Sequence, residues 1–213
     1  MSNPGTETIC PSSTVITNRS SGRQGYALAE VACRLGAQVT LVSTSSLDLA
    51  MDVARRVEVV HVETAAQMHD AMLERSPDAH VVLMAAAVAD FTVERATEKL
   101  KKRHGPPELR FEATPDILAD LVAKRADDQV IVGFAAETTD VLANALLKLH
   151  AKGVDLLVVN DVAAPGAGFE HRTNEVVLLG RDEVPETVTM RSKEAVSLAI
   201  LTRVASLLSQ GAS

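Results

Sequence analysis

The chain has no tryptophan, one tyrosine and four phenylalanines in 213 residues. Those five aromatics, Tyr26, Phe91, Phe111, Phe134 and Phe169, are too few to stack the bases of a nucleic-acid strand. Basic residues are also short: 21 Lys and Arg against 28 Asp and Glu leave a net charge of -7. That balance excludes a general nucleic-acid binder, which needs basic surface against phosphates. An anionic ligand would need positive charge gathered locally. The two cysteines, Cys10 and Cys33, have no metal-ligand spacing and do not make a disulfide scaffold. The six histidines show no paired zinc spacing. No apolar run reaches membrane-spanning length. The N-terminus lacks the basic-then-apolar pattern of a secretory signal. A reduced, cytoplasmic protein without membrane or nucleic-acid partners is expected.

What is present is an ordinary globular balance, 46% apolar and 23% charged. Residues 1–12 are polar and read as a flexible N-terminus; residues 13–213 read as one domain. Strands are expected at Thr14–Thr17, Gln38–Ser43, Val57–Val62, Val130–Ala135 and Val154–Asn160. His80–Ala87 is a continuous apolar run, which predicts a central strand buried on both faces. Leu109–Glu112 reads as a further short strand. Helices are expected over Gln24–Leu35, from a Thr64 cap to Arg75, from a Thr114 cap to Arg125, over Asp140–Ala151 and over Ser192–Leu208. Thr64 with Gln67 has capping-box spacing. Asn174–Leu179 and Val184–Met190 read as a hairpin. Residues 44–56 carry no clear pattern. Strands alternating with helices predict an α/β, doubly wound, Rossmann-like and mostly parallel sheet, with the late β-hairpin as an antiparallel edge or flap.

Such folds bind ligands where strands end and helices begin. The first such loop, "NRSSGRQG", offers the Ser20 and Ser21 hydroxyls. Its Gly22 and Gly25 allow close backbone approach, and a helix N-terminus follows. It matches neither a dinucleotide fingerprint nor a P-loop, and a plain capped turn has the same residues. "MAAAVADF" puts small side chains at a strand end, where a flat ligand could lie, with Asp90 at the mouth. Asp90 could meet a ribose or Mg²⁺, or simply cap a helix. "EKLKKRH" gathers Lys99, Lys101, Lys102 and Arg103, and runs of this kind usually form a solvated face. Lys148 and Lys152 share one helical face, where like charges repel by roughly 0.2–0.5 kcal/mol unless an anion lies between them. "GFAAET" and "NDVAAPGAGF" are the remaining strand-end loops.

In order along the chain, "ITNRSSGRQGYALAE", "MAAAVADF", "EKLKK", "TPDILADL", "VGFAAET", "KLHAKGVDLLVVNDV" and "SKEAVSLAI" resemble phosphopantothenoylcysteine synthetase, the bacterial CTP-using ligase of coenzyme A synthesis. The resemblance runs from about residue 14 to the C-terminus. It implies a phosphopantothenate–cysteine ligase (EC 6.3.2.5 class) that takes CTP, Mg²⁺, 4'-phosphopantothenate and L-cysteine. It also implies a homodimer and, in organisms where the two activities are separate, a decarboxylase partner. The substrate carboxylate attacks the CTP α-phosphate to give an acyl-cytidylate, and the cysteine amine then displaces CMP.

By the same resemblance, Asn18 serves the acyl-cytidylate and Lys99 contacts the triphosphate; these are the catalytic pair. Ser20, Ser21 and Gly22 face the phosphates. Ala85, Ala86, Phe91 and Phe134 line the nucleotide, Asp90 meets the ribose or the metal, and Lys148 and Lys152 add charge. Asn160, Asp161 and Phe169 belong to a flap over the intermediate. One departure stands out. Family members carry a Gly-rich "AGGTxE" turn and an "IDPVR" stretch before the NRSSG loop, whereas here "PSSTV" runs straight into "ITNRSSG". That departure supports an alternative, a non-catalytic or impaired nucleotide-binding paralogue. A nicotinamide-dependent reductase is disfavoured, because Tyr26 is followed by Glu30 rather than a lysine and the glycine spacing is wrong.

Overall fold

The computed structural model describes residues 20–93, 110–137, 140–161 and 173–211. Asn18, Lys99, Phe169 and the expected strand at 14–17 lie outside these residues. The described chain opens with helix α1 (Arg23–Arg34), followed by strands β1 (Val39–Ser43) and β2 (Val57–His61). Helix α2 (Ala65–Arg75) leads to β3 (Val81–Met84), β4 (Phe91–Val93) and β5 (Phe111–Ala113). Then come α3 (Ile117–Ala123), β6 (Val130–Glu137), α4 (Val141–Lys152) and β7 (Leu156–Asp161). The chain closes with β8 (Thr173–Gly180), β9 (Pro185–Ser192) and α5 (Lys193–Gly211).

Strands β3, β6, β7, β8 and β9 form one sheet in that order, parallel through β7 and antiparallel beyond it. The strands β1 and β2 form a separate parallel pair, and β4 with β5 a short antiparallel ribbon. The fold is thus α/β and mostly parallel in its first half, with the hairpin β8–β9 on the far edge.

Both faces of the sheet are covered, as a parallel sheet requires. Ile131, Leu157 and Val159 pack with Met68 of α2, Leu121 of α3 and Leu149 of α4. Val132, Leu156 and Val158 pack on the other face with Leu28 of α1 and Val196, Ile200 and Val204 of α5. The alternation within Leu156–Val159, all at most 2% exposed, makes β7 a strand buried on both sides. A third cluster of Ala29, Cys33, Val53 and Val57 seats α1 on the β1–β2 pair.

Two sequence expectations shift, and one unassigned segment is resolved. The apolar run at His80–Ala87 gives only a four-residue strand, and among the described residues β3 pairs with β6 alone. The central places fall to β6 and β7. Residues 44–50 carry no regular structure and 51–56 form turns anchored by fully buried Val53. The helix expected from Thr114 starts later: Asp116 is the N-cap, its side chain accepting from the Ala119 N–H at 3.1 Å. Thr114 instead donates its hydroxyl to the Ala89 carbonyl and its N–H to the Asp90 carbonyl at 3.0 Å. Among the described residues, no helix is long and apolar enough to cross a membrane.

Candidate active site

Strands β3, β6 and β7 are parallel neighbours, so the segments that follow them emerge along one edge of the sheet. Met84 pairs with Gly133 and Phe134 pairs with Val158. The next residue after Met84, Ala85, is therefore level with Phe134. Both are partly buried against the cluster that holds Leu28 and Val158. The register thus brings two expected nucleotide-lining residues together on the face covered by α1 and α5. Gly133 beside them is closely packed: a Cβ there would lie 3.1 Å from Leu118 Cδ2 and 3.3 Å from Leu157 Cδ1, so those side chains would have to give way slightly.

The Ser20–Gly22 loop opens α1. Gly22 is the N-cap, at φ +70°, and no side chain caps the helix. Ser21 Oγ approaches the Arg23 N–H at 3.5 Å, a long contact. The first-turn amides therefore keep donor capacity, which an anion can use together with the helix dipole. Ser45 backs the loop, its hydroxyl donating to the Ser21 carbonyl at 3.4 Å. Ser45 is held in turn by the Tyr26 hydroxyl, which donates to its carbonyl at 2.7 Å. Nothing in the local pattern of residues 44–56 marked Ser45 for this task.

Asp90 is exposed, in a loop tied down by the two Thr114 bonds. Ala86 is exposed beside it. Phe91 begins the β4–β5 ribbon and is 60% exposed, as is Phe111 at 59%; it does not pack into the sheet with Ala85 and Phe134. Among the described residues there is no group of three or more potential metal-ligating side chains. Asp90 would serve Mg²⁺ as a single carboxylate, a pattern that suits an ion completed by substrate phosphates and water.

The α4 lysines have carboxylate partners. Lys148 Nζ lies 2.5 Å from Glu137 Oε1 at the end of β6, an ion pair that falls outside hydrogen-bond geometry. Lys152 Nζ lies 2.5 Å from Asp116 Oδ2 at the start of α3. Lys152 holds the Asp116 carboxyl below its ordinary range, helped by the Ala119 N–H and opposed by burial. The anions between these like charges are thus protein carboxylates from two different elements. Asn160 is buried at the end of β7 and accepts from Asn174 Nδ2 at 3.0 Å. That bond ties β7 to β8, and Asp161 is the last residue of the strand. Asn174, 1% exposed, and Lys193, 6% exposed, were missed in the sequence. Each is a polar residue in a patterned segment with no motif of its own.

A family model described as DNA/pantothenate metabolism flavoprotein C-terminal domain matches residues 3–208. The coenzyme A biosynthesis bifunctional protein CoaBC of Bacillus subtilis (strain 168) is 43% identical over 196 residues, covering 91% of this chain and 47% of that protein. The chain spans about half the length of the curated relatives it matches. The crystal structure of the C-terminal domain of a CoaBC protein superposes with a TM-score of 0.75 at 33% identity, over 92% of this chain and 87% of that one. A Cab2 mutant in complex with phosphopantothenate-cysteine shares the fold, with a TM-score of 0.71 at 16% identity over 93% and 82% of the two chains.

Proposed function

The chain belongs to the DNA/pantothenate metabolism flavoprotein C-terminal domain family, and from that premise we propose that it joins 4'-phosphopantothenate to L-cysteine in coenzyme A biosynthesis, using CTP. The observation that carries this reading is the meeting of Ala85 and Phe134 at the carboxyl edge of β3 and β6, in a chain whose relatives include proteins named for coenzyme A biosynthesis.

In the first step, a substrate carboxylate oxygen bonds to the α-phosphorus of CTP, and the α–β bridging bond breaks to release pyrophosphate. In the second, the cysteine nitrogen bonds to the acyl carbon, loses a proton, and CMP leaves. Neither step requires a protein nucleophile, so the residues contribute position and charge. Ser20, Ser21, Gly22 and the open first turn of α1 hold phosphate. Ala85, Ala86, Phe91 and Phe134 line the nucleotide. Mg²⁺, when bound, offsets charge on the phosphates, with Asp90 the protein carboxylate that would hold it. Lys99 contacts the triphosphate, and Lys148 and Lys152 exchange their carboxylate partners for it. Asn18 serves the acyl-cytidylate. Asn160, Asp161 and Phe169 belong to the segment that excludes water from the intermediate. The enzyme works in the cytoplasm as a homodimer, for which the exposed Phe111 of the β4–β5 ribbon offers an apolar contact.

A second reading, a nucleotide-binding paralogue without turnover, rests on the absence of the Gly-rich turn before the NRSSG loop. One assay separates the two. Pyrophosphate release from CTP and 4'-phosphopantothenate with Mg²⁺ is measured first, and cysteine is then added. Release followed by product is expected; folded protein that binds CTP without release would favour the paralogue. Lys99→Ala should cut pyrophosphate release strongly. Asn18→Asp should accumulate acyl-cytidylate and stall the cysteine product, and wild-type product levels would reject that role.

A further inference from the structure

A cavity of about 230 Å³ lies between the first two turns of α1, the segment at residues 47–48 and the start of α5. Its lining includes Arg23, Tyr26 and Glu30 of α1, Asp48, and Lys193 and Glu194 of α5. Arg23 and Lys193 are the first residues of their helices. Two side-chain cations therefore share the cavity with the partial positive charges of two helix N-termini.

Lys193 is the unusual member. It is 6% exposed, yet no hydrogen bond or ion pair to a described residue reaches its ammonium. The fold holds it in place. Gln24 Nε2 donates to Ser197 Oγ at 2.9 Å, and Ser197 Oγ donates to the Lys193 carbonyl at 2.7 Å, which pins α1 to α5. The other titratable groups of the lining are occupied or screened. The Tyr26 hydroxyl donates to the Ser45 carbonyl at 2.7 Å. Glu30 accepts from the Ala50 N–H at 2.8 Å and pairs with Arg34 at 3.6 Å. Glu194 is engaged as well, and Asp48 is exposed, where water and salt screen its charge. Burial first, and then the Arg23 charge, push the Lys193 pKa down. A lysine desolvated beside a second cation presents the neutral, nucleophilic form of its amine more readily than a solvated one.

We propose that Lys193 is a carbamate site: its amine captures CO₂ in this cavity, and the carbamate so formed pairs with the Arg23 guanidinium. The ammonium first gives one proton to solvent. The nitrogen lone pair then bonds the carbon of CO₂, one C=O electron pair moves onto oxygen, and a second proton leaves the nitrogen for solvent. The side chain changes from a cation to an anion. Before capture, a buried ammonium shares the cavity with a guanidinium and two helix N-termini, an unfavourable set. After capture, the same groups surround an anion and favour it. CO₂ itself carries no charge to desolvate on entry.

The test holds the whole chain at mildly alkaline pH with ¹³C-labelled bicarbonate and its equilibrium CO₂. Carbamate is trapped by alkylation with triethyloxonium ion, and the adduct is mapped by peptide mass spectrometry. Neither nucleotide nor phosphopantothenate is present, so the outcome is independent of the ligase reading. Lys193 is expected to carry the label about tenfold or more above the exposed Lys124 and Lys148. Arg23→Gln should cut the Lys193 label about fivefold or more, by removing the partner of the carbamate. Competitive acetylation of the unaltered chain gives a second readout: Lys193 should react at lower pH than Lys124, and added CO₂ should slow it. No label at Lys193, label spread evenly over the lysines, or a Lys193 label unchanged in Arg23→Gln would each overturn the proposal.

Discussion

Replacing Gly22 by alanine tests the loop on which the phosphate-binding reading depends. Two costs are separable. Gly22 sits at φ +70°, where an L side chain costs about 1–2 kcal/mol. A Cβ there would also lie 2.4 Å from Ser45 Oγ and 2.8 Å from Ser45 Cβ. Ser45 cannot simply swing away. Its carbonyl accepts from Tyr26 at 2.7 Å, and its N–H donates to Ser43 Oγ at 3.0 Å. Crowding of this kind costs about 1–3 kcal/mol, so Gly22→Ala should lose about 2–5 kcal/mol in total. Urea denaturation of Gly22→Ala, Ser45→Gly and the double variant separates the terms as a double-mutant cycle. With Ser45→Gly the crowding vanishes, and Gly22→Ala should cost only the backbone term of about 1–2 kcal/mol. A loss below about 0.5 kcal/mol, or the same loss with and without the Ser45 side chain, would refute the reasoning.

Asp155 accepts from the Ile131 N–H at 2.8 Å and pairs with Arg125 at 3.2 Å and Arg181 at 2.9 Å. Asp155→Ala strands a buried amide and should cost about 2–4 kcal/mol by denaturant titration, with Asp155→Asn recovering part of that. Thr64 accepts from the Gln67 N–H at 3.1 Å in a complete capping box, and Thr64→Ala should cost about 1 kcal/mol. The His69 ring lies 2.8 Å from Asp120 and 3.2 Å from Asp70, and those carboxylates, Asp120 first, raise its pKa. A raised pKa stabilises the fold fully below the ordinary imidazole value of about 6.5 and loses that share as pH climbs through the folded value. His69→Gln should flatten the decline in stability as pH rises above about 6.5, and an unchanged slope would exclude His69 as its source. Lys148→Ala and Lys152→Ala should each raise the KM for CTP with little change in melting temperature. An unaltered KM would leave both lysines as partners of Glu137 and Asp116 alone.

Local signals were legible where one segment decides the outcome. The Thr64–Gln67 spacing gave its capping box because all four groups lie within a single turn. Thr114, just before Pro115, is the cap expected from sequence, but the structure places the cap at Asp116. Asp116 caps because the Thr114 hydroxyl is committed to the Ala89 carbonyl, a partner from another loop. The apolar run at His80–Ala87 predicted burial on both faces, but only Val82 and Met84 are buried, because how many strands flank it depends on segments far along the chain. Burial on both faces belongs most fully to Leu156–Val159.

The charged residues were the hardest to read, because a charge shows its role only through its partner. Lys148 and Lys152 stood out in sequence as an unbalanced pair that needed an anion. The structure supplies Glu137 and Asp116 from β6 and the cap of α3, so that need is met before any nucleotide arrives. Lys193 drew no notice in sequence, because a lysine opening an amphipathic helix is ordinary. Folding buries it beside Arg23 and leaves it without a described counter-charge. The lysine with the stronger demand for an anion is therefore the one whose sequence context gave no signal. Electrostatic need is a property of the folded neighbourhood, and the α1–α5 cavity is where it remains unmet.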